Sequence, residues 1–171
     1  MRTLREIAEA VDKVNAEYIL RDLEILKDYG WIGKYHSQGK TDYAKAAMER
    51  LEERIKEFDS THLTPANAKV GEGATINLWS DRHACTIIKV TKTTITVQRD
   101  TAILNHDFKP EFIPGGFAGQ CTNQNEQSYT YERDEQGEIT TIHWSEKYQR
   151  YGRPGFPTLS KGRHEFYDYN F

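Results

Sequence analysis

The chain has 171 residues, enough for one ordinary domain or two small ones. Its 23 basic and 26 acidic residues leave a net charge of -3, which excludes a global electrostatic pull towards nucleic acid or an anionic membrane. Hydrophobic residues make up only 37%, yet a 12% aromatic share argues for folded protein, because aromatics bury large areas per residue.

In chain order, the first third predicts helices. Thr3 followed by Glu6 is a capping box, and Leu4, Ile7, Ala8 and Val11 then share one helical face. A second helix is expected over residues 16–28, with Ile19, Leu20, Leu23 and Leu26 as its stripe and Gly30 as its stop. Residues 31–36 would form a short hairpin. A third helix is expected over 41–58, where Ala44, Ala47, Met48, Leu51, Ile55 and Phe58 fall on one side. The polar, Pro-interrupted stretch after it reads as a linker, so the organisation is a helical unit over 1–60, a linker over 61–69 and a β domain over 70–171.

The β domain opens with a half-buried strand ending near Leu78, a polar knot at Ser80, Asp81, Arg82 and His83, a strand over 84–90, a tight turn and a strand over 94–99. Residues 128–132 and 139–144 flank a Gly-containing turn and read as a hairpin. Residues 164–169 read as a last strand, with the terminal aromatics, Phe171 among them, packing back onto the sheet. The fold class expected is therefore α+β: a helical N-terminal unit followed by a small antiparallel, SH3-like β-sheet domain.

Two resemblances bear on function. Residues 4–11, 19–26 and 29–32 resemble a winged helix-turn-helix: a scaffold helix, a recognition helix and a Gly-Trp-Ile lead-in to a wing. That resemblance implies that Asn15, Glu17, Tyr18 and Arg21 face a DNA major groove and that Lys34 begins the wing. Charge opposes this reading, since residues 1–60 hold 11 basic and 13 acidic side chains and phosphate contacts dominate DNA affinity. The alternative is a small helical unit serving as a partner or dimer surface, and its apolar stripes would suit a homodimer.

The second resemblance covers roughly the last hundred residues. Trp79 to Ala84, Gln98 to Asp100, Gly116 to Gly119, Asn123 to Gln127 and the ending from Gly162 to Phe171 together resemble a family of small proteins carried by phages, plasmids and integrative elements. The resemblance implies a mobile-element accessory protein in a bacterial cytoplasm, a class that includes many inhibitors of host defence. It implies as partner a host defence protein such as a CRISPR effector.

Among chemistry-bearing sets, Asp81, Arg82 and His83 could meet His164, Glu165 and Asp168 if the end of the chain closes on the sheet. A His–carboxylate pair suits general base work and an arginine suits phosphate, so a small enzyme or nucleotide-binding module is a third reading. The bland reading is that these residues hold a turn. His83, Cys85 and Cys121 supply three zinc-type ligands where a closed site needs four, and no cofactor or metal is expected. The amide-rich loop with Asn123 and Asn125 could read bases or satisfy its own backbone. Arg150, Tyr151, Arg153 and Arg163, with Lys147 and Lys161, make the most basic neighbourhood, where interleaved rings and cations suit single-stranded nucleic acid or a protein partner. The leading expectation is a non-enzymatic binding protein.

Overall fold

A computed structural model describes residues 2–115 and 119–170. The chain divides into two compact units, Met1–Asn67 and Ala68–Phe171. The α+β class is as expected: four helices precede a mostly antiparallel sheet.

In the first unit, α1 (Leu4–Val11) begins at Thr3, whose side chain accepts from the Glu6 amide while Glu6 accepts from the Thr3 amide. The second helix departs from expectation. A short α2 (Ala16–Ile19) ends at Leu20, and Asp22 starts a new helix by accepting the Ile25 amide at 2.9 Å. This restart shifts the helical phase. In α3 (Leu23–Ser37) the residues turned inward are Ile25 and Ile32, seven apart, while Leu23 is 79% exposed.

α3 runs straight through Gly30 and Gly33, so residues 31–36 are helix and not a hairpin, and Lys34 lies in its last turn and not in a wing. An interior glycine costs a helix about 1 kcal/mol relative to alanine. Packing offsets that cost: α3 lies along α4 (Thr41–Thr61), whose inward residues are Ala44, Ala47, Leu51, Ile55 and Phe58. Apart from the helix's own nearby backbone, no heavy atom lies within 4 Å of where a Cβ on Gly30 or Gly33 would sit. Gly30→Ala and Gly33→Ala are therefore expected to stabilise this unit by about 0.5–1 kcal/mol each. Urea unfolding followed at 222 nm measures it; a loss of stability would mean that these residues need a non-helical backbone.

The stretch expected as a linker belongs to the helical unit up to Asn67. Asn15, fully buried, donates to Asp12 at 2.8 Å and Asp59 at 3.0 Å and accepts from the buried Thr64 hydroxyl at 2.8 Å. Asn67 donates to Asp59 at 3.0 Å and to the His62 carbonyl at 2.8 Å. Buried polar groups need partners, and these residues supply one another's.

The second unit contains β1 (Gly73–Asn77), β2 (Arg82–Val90), β3 (Thr94–Arg99), β4 (Thr101–Leu104), β5 (Phe112–Ile113), β6 (Gln120–Cys121), β7 (Tyr129–Glu132), β8 (Ile139–Ser145), β9 (Arg150–Tyr151) and β10 (Thr158–Lys161). Six strands form one antiparallel sheet in the order β10-β1-β2-β3-β8-β9, and its two edge strands pack against each other, so the sheet is rolled. Its buried apolar residues include Ala74, Ile76, Ala84, Cys85, Ile87, Ile95, Val97, Ile142, Tyr151 and Leu159.

The hairpin expected across residues 133–137 does not form. β7 pairs with β4, and β8 pairs with β3, placing Ile142 opposite Ile95. The long-range pairing wins because Ile142 is buried opposite the fully buried Ile95, whereas β7 alternates half-buried Tyr129 and Tyr131 with exposed residues. Nor is the last strand a strand. β10, which sequence patterning missed, pairs with β1, and the chain leaves it through Gly162 at φ 84. Residues 163–170 then cross the sheet as an irregular strap with one isolated bridge, Arg82 to Phe166. Residues 116–118 of the second resemblance, and Phe171 with the packing expected of it, lie outside the described residues.

Candidate functional site

The strap brings together most of the residues that looked chemical in the sequence. Every backbone amide from His164 to Asn170 has an acceptor. His164 donates to the Thr75 hydroxyl (2.9 Å), Glu165 to the Tyr131 hydroxyl (3.1 Å) and Phe166 to the Arg82 carbonyl (3.0 Å). Tyr167 donates to Gln127 Oε1 (3.1 Å), Asp168 to Asp81 Oδ1 (2.9 Å), Tyr169 to Gln124 Oε1 (3.1 Å) and Asn170 to Asp168 Oδ1 (2.9 Å). The Asn170 side chain closes a two-bond pair with the Cys121 backbone. Side chains here supply what a neighbouring strand would otherwise supply.

Two carboxylates anchor the strap from beneath. Asp100, whose side chain is 0% exposed, accepts from Arg163 Nε at 2.7 Å, Arg133 at 3.3 Å and the Thr86 hydroxyl at 2.8 Å. Arg163 also donates to Thr86, and its stem lies 2.8 Å from where a Cβ on Gly73 would sit, so glycine is what admits it. Glu165 accepts from Arg99 at 2.9 Å, the Ala84 amide at 2.8 Å and His83 Nδ1 at 3.2 Å. His83 and a carboxylate do meet, as a general base pair would require, but that carboxylate is held by two further donors, and Asp81 and Arg82 serve the strap's backbone. The arrangement is chemically a latch.

A different surface stands apart from these bonds. The run 147–161 holds four basic and no acidic residues. Lys147 Nζ lies 5.2 Å and the Arg150 guanidinium 6.0 Å from the Tyr148 ring centre, and the Arg153 guanidinium lies 3.9 Å from that of Phe156. Lys147, Arg150 and Arg153 make no ion pair among the described residues. Phe156 is 57% exposed. Between this arm and β8 runs a groove of about 490 Å³ lined by residues 140–145 with Gly152, Arg153, Phe156 and Pro157.

No family model, curated protein or solved structure matches this chain.

The remaining sequence candidates fall as follows. Asn15 is buried in the polar knot and reaches no groove, because a free amide there would leave Asp59 and Thr64 unsatisfied. Glu17 is exposed but paired with Arg5 at 2.7 Å, Tyr18 packs against the helical core, and Arg21 sits exposed between α2 and α3. Lys34 lies 4.4 Å over the Trp31 ring. Asn123 accepts from the Glu111 amide and donates to the Lys109 carbonyl, both at 2.9 Å, which makes it a loop clamp, while Asn125 is exposed in a one-turn helix. Tyr151, expected on the surface, is fully buried with its ring edge-on to Trp144 at 5.1 Å, and Arg163 is consumed by Asp100.

Both cysteines are free and buried, and burial pushes the Cys85 thiol up to about 11, away from nucleophile or ligand chemistry. Among the described residues no group of metal-ligating side chains occurs and no helix is long and apolar enough to cross a membrane. Sequence reasoning missed Asp100 and Glu165 as hubs; a charged residue between two short apolar strands was the available signal for Asp100.

Proposed function

We propose that this chain is a non-enzymatic binding protein whose interaction surface is the cationic, aromatic arm from Lys147 to Pro157. The observation that carries the reading is the set Lys147, Arg150 and Arg153. Each rests against an aromatic ring, none is neutralised by a carboxylate among the described residues, and all are exposed. Arginine and aromatic side chains are what dominate binding energy at protein interfaces. Trp79, 87% exposed at the tip between β1 and β2, offers a second anchor on the same unit.

The catalytic alternative is disfavoured by use: Asp81, His83, Glu165 and Asp168 are spent on holding the strap. The mobile-element resemblance supports a host defence protein, such as a CRISPR effector, as the partner, with inhibition by occlusion of a protein or nucleic-acid site. Most of the described side chains that carry that resemblance lie in the latch, which makes them scaffold and leaves target choice to the arm.

Affinity purification from a bacterial host tests this. The native chain is expected to retain a defence protein that the Lys147→Glu, Arg150→Glu, Arg153→Glu triple variant loses. Retention of the same protein by the triple variant would remove the arm from the reading, and recovery of no defence protein would remove the inhibitor.

A further inference from the structure

We infer that the groove beside β8 takes an extended, acidic segment of a protein partner as an added β-strand; this rests on the binding reading above. The groove is lined by consecutive residues, 140–145. Successive side chains of a strand point to opposite faces, so a cavity touching all of them runs along the strand's edge and not over one face. β8 pairs with β3 on one side over 139–143, but on the other side β9 reaches only Trp144 and Ser145. Among the described residues no strand pairs with 139–143 on that second side.

The polarity of the open edge follows from two bonds. The Trp144 amide donates to Thr93, towards β3, while the His143 carbonyl accepts from Gly152, away from it. By the alternation of the ladder, Thr141 and Ile139 also direct their N–H and C=O groups away from β3, Thr141 within the groove lining and Ile139 just past its end. The open length, residues 139–142, spans about 10 Å from end to end at ~3.3 Å per residue. That suits the short main-chain ladder of strand addition.

Charge selects the occupant. The groove lining contains no carboxylate, and Arg153 stands at its wall. The Arg153 guanidinium lies 3.9 Å from the Phe156 ring centre, and its fork of N–H donors matches a carboxylate. An acidic side chain on an added strand would meet it.

The test uses the full chain and short acetylated peptides of alternating valine and threonine carrying one glutamate, their lysine counterparts, and a thymidine oligonucleotide. The glutamate peptides are expected to shift and protect the amides of Ile139 and Thr141 in NMR spectra. N-methylation of the peptide at alternate residues should abolish the effect without touching the protein. Arg153→Ala should weaken binding about tenfold, the scale of one charge-assisted contact. Thr141→Pro removes an outward N–H that β3 does not use and should block the peptide with the circular dichroism retained. Equal binding of glutamate and lysine peptides, indifference to N-methylation, no amide shift at all, or preferential binding of the oligonucleotide would each overturn strand addition. If Thr141→Pro still captures the host partner that the arm variant loses, the binding reading stands and strand addition fails.

Discussion

Asp100→Ala is expected to lower the stability of the sheet unit by about 3 kcal/mol, the lower end for breaking a buried ion pair from one side. The Asp100 side chain is wholly buried and answers three donors, Arg133, Arg163 and the Thr86 hydroxyl. Removing it leaves two guanidiniums facing each other across a cavity. The effect stays at the lower end because Arg133 and Arg163 keep 38% and 34% of their side-chain surface in water. Asp100→Asn should cost less, since its amide oxygen still accepts one bond while the charge is lost. Urea unfolding of the whole chain, read at amide resonances of each unit separately, measures both. The sheet's midpoint should fall and that of Met1–Asn67 should not. Equal loss in both units, or none in the sheet, would contradict the hub.

Glu165→Ala carries the second large effect, about 2–3 kcal/mol, from hydrogen bonds to a charged group and a buried amide left without an acceptor. Ala84 is fully buried, so its N–H finds no water in place of Glu165. His83→Ala should cost well under half as much, because Glu165 keeps Arg99 and the Ala84 amide. The two variants therefore separate a latch from a catalyst. A latch predicts unequal stability losses, and amide exchange in the strap, residues 164–170, that rises much more in Glu165→Ala. A catalytic dyad predicts similar functional loss in both with little change in exchange. Unequal loss in the opposite order would also count against the latch.

The helical unit shows where sequence patterning works and where it slips. The capping box at Thr3 and the stripe of α4 were legible because each is set by residues three or four apart. The α2–α3 region was not. Asp22 restarts the helix and moves the buried phase onto Ile25 and Ile32, and once the phase moves, Gly30 becomes an interior residue and the Gly-Trp-Ile run becomes helix. Two glycines in a row of helical turns are a local argument for a stop; packing along α4 is a tertiary argument that outweighs it. The linker was misjudged for a related reason: polar composition suggests solvent, yet Asn15, Asp59, Thr64 and Asn67 are polar because they satisfy one another.

In the sheet unit β3 was read to the residue, and β1 and β2 to within a few, from alternation and turn residues alone. Pairing was another matter. A turn with good chemistry at residues 133–137 does not decide whether its flanks pair with each other: β8 instead buries Ile142 opposite Ile95 of β3, and β7 finds its ladder on β4. The convergence of Asp81 and His83 with Glu165 and Asp168 was open in the sequence beside a turn-holding role, and their meeting is real. Its meaning depends on what else each carboxylate accepts, and those donors come from positions far apart in the chain.

The sequence alone thus determined the two-part α+β layout, the local caps and strand periods, and the basic run after Lys147, all properties of residues close together. Tertiary structure decided which polar residues are spent on the strap, that Tyr151 and Arg163 are internal, and that the edge of β8 stands open beside cations that make no ion pair among the described residues. Those depend on contacts between residues widely separated in the chain, where spacing carries no signal.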